Sequence, residues 1–120
     1  MGKCVSDYGC SVEAALDVIG GKWKGVVLYH LLEGKRRFGE LQRLMPGVTR
    51  RMLTLSLREL EEEGIVHREV YKQVPPKVEY SLTEYGRTLE PIILSLRTWG
   101  EIYMQKLKRS EENALAAQAK

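Results

Sequence analysis

Cysteine is nearly absent from this sequence: its 120 residues include two, Cys4 and Cys10. That is too few for a disulfide scaffold, and their separation matches no zinc-binding spacing. Reduced thiols fit a cytoplasmic protein. The two histidines, His30 and His67, stand far along the chain from both cysteines, so no metal site is expected. No apolar run approaches the ~20 residues of a membrane span. The N-terminal stretch MGKCVSDYGCSVE has no apolar core of the kind a secretory signal carries. A Ser/His/Asp arrangement, a phosphate-binding glycine loop and an HExxH pattern are all missing. An enzyme and a cofactor are therefore not expected.

The positive charge is small in total and concentrated in place. The formal net charge is +3. Residues 35–58 hold Lys35, Arg36, Arg37, Arg43, Arg50, Arg51 and Arg58 against Glu40 alone, a net of +6. Residues 59–63, ELEEE, carry four negatives immediately afterwards. A local basic patch is an electrostatic footprint for phosphates, but it is equally an ordinary solvated face. The element beneath it decides.

Periodicity supplies that element. Val12, Leu16 and Ile19 predict a helix over 11–19, capped by Ser11 and broken at Gly20-Gly21. Trp23, Val27, Leu28 and Leu31 predict a second over 22–32, and a short third covers 39–44 before Pro46-Gly47. Thr49 has the character of an N-cap for a helix over 50–63, in which Leu53, Leu57 and Leu60 fall within about 60° of one another. Gly64 ends it. The period then changes. Residues 65–71 are β-rich and 77–82 alternate cleanly, so the two form a hairpin around Lys72-Gln73-Val74-Pro75-Pro76. A last helical region runs from Thr83 to about Leu107, with Pro91 expected to kink or divide it. Residues 1–9 read as a flexible leader and 108–120 as a frayed tail around one domain over 10–107.

A short helix, a tight turn, an amphipathic helix and a hairpin make a mainly α fold with a small β-hairpin wing (α+β): a winged helix-turn-helix. In that arrangement the second helix of the pair lays its N-terminal residues on bases in the DNA major groove. Opposite the leucine stripe lie Arg51, Thr54, Leu55 and Arg58, with Arg50 at the helix start. Arginine bonds guanine edges, while threonine and leucine suit base edges and thymine methyls. Thr49 and the free N–H groups behind it suit a backbone phosphate. Lys72 and Lys77 flank the hairpin tip and are placed for flanking DNA. Glu61 and Glu62 are expected to face away from the phosphates.

Several stretches together resemble a known family: CSVEAALDVIGGKW at 10–23, RRFGELQRLMPGVTRRMLTLSLRELEEEGIVHREVY at 36–71, PPKVEYSLTEYGR at 75–87 and WG at 99–100. They are similar to the HxlR-type winged-helix regulators, prokaryotic relatives of the MarR group, over about residues 10–103. The resemblance implies a DNA-binding transcriptional regulator acting as a homodimer through its first and last helices. Cys4 and residues 108–120 lie outside the shared pattern. Val12, Leu16, Trp99, Ile102 and Tyr103 are the candidates to meet the partner chain; covering the core of a monomer is their other role. A two-fold dimer implies a pseudo-palindromic operator in double-stranded DNA. Cys10 stands where a helix N-terminus favours a thiolate, and the resemblance makes it the candidate sensor thiol for an oxidant or electrophile. An inert cysteine is its simpler reading. Trp23, Tyr29, Trp99 and Tyr103 are candidates to line a small-molecule effector pocket, with core packing the simpler role. A winged-helix protein-interaction module without DNA binding is the competing function, and it calls for an apolar or acidic face where this sequence places arginines.

Overall fold

The structure, a computed structural model, describes residues 3–119. After a 3-10 turn at Val5–Asp7 come α1 (Ser11–Ile19), α2 (Lys24–Leu31), α3 (Phe38–Leu44) and α4 (Arg50–Glu62). Strands β1 (Val66–Tyr71) and β2 (Lys77–Leu82) follow, then a 3-10 segment at Gly86–Leu89 and the long α5 (Glu90–Gln118). The chain divides into two compact units, one running to Glu90 and one from Pro91 onward.

The first unit is built around α2, which meets α1, α3, α4 and β2. Its residues Val27, Leu28 and Leu31 are buried, and Leu41, Met45, Val48, Leu53, Leu57, Leu60, Ile65 and Val66 complete the core. Met45 and Val48 plug the turn between α3 and α4, which is why so short a connector holds its angle. α2 is shorter than expected at both ends, because Trp23 is its N-cap and Leu32 its C-cap.

The α4 terminus shows why glycine follows it. Gly64 has φ +76°, its N–H bonds Glu61 O at 3.0 Å, and the Ile65 N–H reaches back to Leu60 O at 3.0 Å. This paired closure needs a left-handed residue. Thr83 then ties the end of the hairpin to the same corner: its hydroxyl donates to Gly64 O at 2.6 Å and accepts from the Gly86 N–H at 2.9 Å. A Cβ on Gly86 would stand 2.2 Å from Ile65 O, so only glycine fits.

β1 and β2 pair antiparallel, with Val66 opposite Leu82, Arg68 opposite Tyr80 and Tyr71 opposite Lys77. The connector after α2 adds one bridge. Arg36 N–H donates to Tyr80 O at 2.9 Å and Tyr80 N–H to Arg36 O at 2.8 Å.

The second unit is helix. Pro91 divides nothing within α5, because it stands in the first turn, where a missing N–H breaks no helical bond. The segment from Thr83 begins with a 3-10 turn rather than α-helix. Of residues 108–120, expected to fray, 108–118 continue the helix and residue 120 lies outside the described residues; Ala114, Ala116 and Ala117 supply propensity where there is no buried face.

Candidate nucleic-acid interface

Thr49 caps α4 as its side chain suggests, accepting the Met52 N–H on Oγ1 at 3.1 Å. The N–H groups of Arg50 and Arg51 point out of the first turn without helical partners, as in any helix start. Leu53, Ser56, Leu57 and Leu60 face the core. Arg51, Thr54, Leu55 and Arg58 occupy the opposite, exposed side, and Leu55 is 53% exposed. Arg50 is exposed too, but its guanidinium lies 4.9 Å from the Phe38 ring centre, so it also joins the start of α4 to the start of α3.

The basic stretch separates into structural and available cations. Arg36 is committed: its Nε donates to His30 O at 3.1 Å and its Nη2 meets Glu33 at 2.9 Å. Lys35, Arg37, Arg43, Arg50, Arg51 and Arg58 are exposed. The acidic end of α4 is partly neutralised, with Glu59 paired to Lys24 at 2.7 Å and Glu63 to Lys3 at 3.5 Å. His30, packed edge-on against Tyr29, has its pKa lowered by burial first and by Arg36 second.

The hairpin has two unlike faces. One carries His67, Glu69, Tyr71, Lys77, Glu79 and Ser81, and here Lys77 lies 4.7 Å from the Tyr71 ring centre and 3.9 Å from Glu79. His67 meets Glu69 at 2.7 Å. Lys77 is therefore half-buried and engaged, while Lys72 is exposed at the tip. The other face runs Val66, Arg68, Val70 against Leu82, Tyr80, Val78. Thr54, Leu57, Arg58 and Glu61 of α4 line a groove of about 380 Å³ with Arg68 and Tyr80. Glu61 thus stands beside Arg58 instead of facing away. Residues 65–71 alternate imperfectly, so the sequence alone does not place Arg68 on this face.

Cys10, not Ser11, is the N-cap of α1, and it makes no side-chain cap bond; Gly9 N–H is instead taken by Glu13 at 2.8 Å. Its thiol is exposed and shares a hollow of about 510 Å³ with Cys4, Tyr8 and Lys3. Of residues 1–9, expected to form a flexible leader, 1 and 2 lie outside the described residues and 3–9 are tied to α1: Lys3 Nζ and Tyr8 Oη both donate to Asp17 at 2.6 Å, holding its carboxyl below the usual carboxylate range. Val12 and Leu16 are exposed, one turn apart on α1. On α5, Trp99 (63% exposed), Ile102 (61%) and Tyr103 crowd one stretch, and Trp99 stacks on Tyr103 with centroids 5.7 Å apart. Trp23 stands beside Gly47 in the first unit, its indole Nε1 buried and without a hydrogen-bond partner among the described residues.

Among the described residues no helix is long and apolar enough to cross a membrane. The HxlR-like helix-turn-helix family model matches residues 18–108. The chain is 65% identical over 103 residues to the HTH-type transcriptional regulator YdeP of Bacillus subtilis (strain 168), covering 86% of this chain and 80% of that one. It is similar to the redox regulator HypR in its reduced form (TM-score 0.78, 65% identity, 82% of this chain and 98% of that one). The oxidised form of HypR gives a TM-score of 0.75 at 70% identity, covering 77% and 95%.

Proposed function

We propose that this chain, which belongs to the HxlR-like helix-turn-helix family of transcriptional regulators, acts in the cytoplasm as a homodimer on a pseudo-palindromic operator in double-stranded DNA. α4 enters the major groove. Arg51, Thr54 and Leu55 read base edges, Thr49 and the first N–H groups of α4 seat a phosphate, and Arg50 and Arg58 hold the backbone. Lys72 reaches flanking DNA from the wing tip, with Lys77 behind it. The observation that carries the reading is the division of α4 into a buried leucine face and an exposed face of arginine and threonine. A protein-interaction module calls for an apolar or acidic face there instead. The test is a mobility shift with the DNA upstream of the chain's own gene, repeated with 200 mM added salt as an assay condition. Binding that weakens steeply with salt is expected; no binding to any fragment at low salt would transfer the reading to an interaction module.

The partner chain is assigned to the exposed apolar residues of the terminal helices, Val12 and Leu16 on α1 and Trp99, Ile102 and Tyr103 on α5. Family membership supports two-fold pairing, and so does this much apolar surface on α5.

Cys10 is assigned as the sensor thiol. Its exposure at the start of α1 supports this, as does similarity to a protein described as a redox regulator. Modification at that point alters the end of a helix assigned to the dimer interface, and so the spacing of the two α4 helices. Comparing operator affinity of wild type and Cys10→Ser before and after diamide or a quinone tests it. Wild type alone should lose affinity; equal loss in both, or loss in neither, removes the switch.

A further inference from the structure

We propose that Arg68, on β1, is a phosphate-gripping residue that works with Arg58 to hold a DNA backbone strand in the groove between α4 and the hairpin. The inference rests on the DNA-binding reading and adds a contact to it. Arg68 and Tyr80 stand directly opposite each other. Both backbone groups of Tyr80 are spent on Arg36, so the Arg68–Tyr80 pair is the non-hydrogen-bonded kind, whose side chains lie close on one face. That face turns to α4, where Thr54, Leu57, Arg58 and Glu61 complete the groove.

Charge separates the two faces of the hairpin. On the far face His67 and Lys77 are matched by Glu69 and Glu79. On the α4 face Arg68 is the single charge contributed by β1 and β2. It is exposed, and among the described residues neither it nor Arg58 has an ion-pair partner. Two unpaired guanidiniums and a threonine hydroxyl lining one groove are a donor set for an anion. Arg58 lies seven residues beyond Arg51, about 10 Å further along the axis. The N-terminal turns of α4 are therefore at the bases when Arg58 and Arg68 are at the rim, where phosphates pass. Glu61, one turn past Arg58, sets the negative limit of the groove and weakens it for DNA.

Binding of the full chain to a labelled duplex from upstream of its own gene, and to an unrelated duplex of equal length, decides the matter across a salt series by fluorescence anisotropy. Arg68→Ala should weaken both duplexes by about tenfold for each subunit engaged, as loss of a charged hydrogen bond does. It should also reduce the magnitude of the log–log salt slope by roughly one per subunit engaged. Arg68→Lys should keep most of the slope, and Glu61→Gln should tighten both duplexes. Thermal melts of each variant separate folding from binding, with the lysine variant as the check if the alanine variant melts early. An unchanged slope in Arg68→Ala would overturn the proposal, as would a loss confined to the upstream duplex or a lysine variant no better than alanine. Absence of binding by wild type would instead remove the DNA-binding reading itself.

Discussion

At the scale of single residues, Thr49 closes the start of α4 with one hydrogen bond, accepted on its Oγ1 from the Met52 N–H. Thr49→Ala should cost about 1 kcal/mol of stability, measured by urea unfolding. Arg36 counted toward the basic stretch, yet it is spent on His30, Glu33 and the Tyr80 backbone. No spacing rule links residue 36 to residue 80. Gly86 belongs with it, since its need for a missing Cβ comes from Ile65 O, 21 positions earlier. Gly86→Ala should destabilise by roughly 1–3 kcal/mol, the cost of forcing a methyl group into filled space. His30 gives a pH prediction. Its folded pKa is lowered by burial, so the unfolded chain binds its proton more readily. The stability it contributes is complete above the unfolded value of about 6.5 and is lost as pH falls through its folded pKa. His30→Gln should therefore lose less melting temperature than wild type between pH 7.5 and 5.5; an equal loss would show that other groups titrate.

At the scale of elements, the strongest periodic signals gave the closest agreement. α1, α4 and the clean strand 77–82 lie where their patterns place them, because each has one apolar face to bury. Leu57→Ala, in the center of the α4 stripe, should cost about 2–5 kcal/mol in denaturant unfolding. Imperfect alternation over 65–71 predicts a strand one residue longer than β1 (Val66–Tyr71) and assigns it no faces, which conceals Arg68. The end of α5 departs from its expected fraying for the opposite reason. A polar, alanine-rich segment offers no buried stripe, yet alanine propensity carries the helix to Gln118. No local pattern shows that Lys3 and Tyr8 converge on Asp17, so the sequence predicts a flexible segment where the structure ties one down. Asp17→Asn should release it, and trypsin should then cut after Lys3 severalfold faster in native buffer.

At the scale of the molecule, net charge described the chain poorly and the placement of charge described it well. Cations gather on one side of α4, while Glu59 and Glu63 at its other end are matched by Lys24 and Lys3. The exposed apolar residues of α5 are a second whole-molecule feature. Replacing Trp99 and Ile102 together by aspartate should convert the proposed dimer to monomer at micromolar concentration in sedimentation equilibrium, and DNA affinity should fall with it. Unchanged mass would place the dimer contact elsewhere. The central claim, that the exposed face of α4 reads DNA sequence, is tested most directly by selecting bound duplexes from a random pool with wild type and Arg51→Ala. Wild type should enrich two inverted half-sites whose centers lie about one helical turn, ~34 Å, apart. Arg51→Ala should lose discrimination at one symmetric position in each, by about 1–3 kcal/mol, while the half-site spacing stays the same. No enriched sequence with wild type, or an identical motif with the variant, would contradict the account.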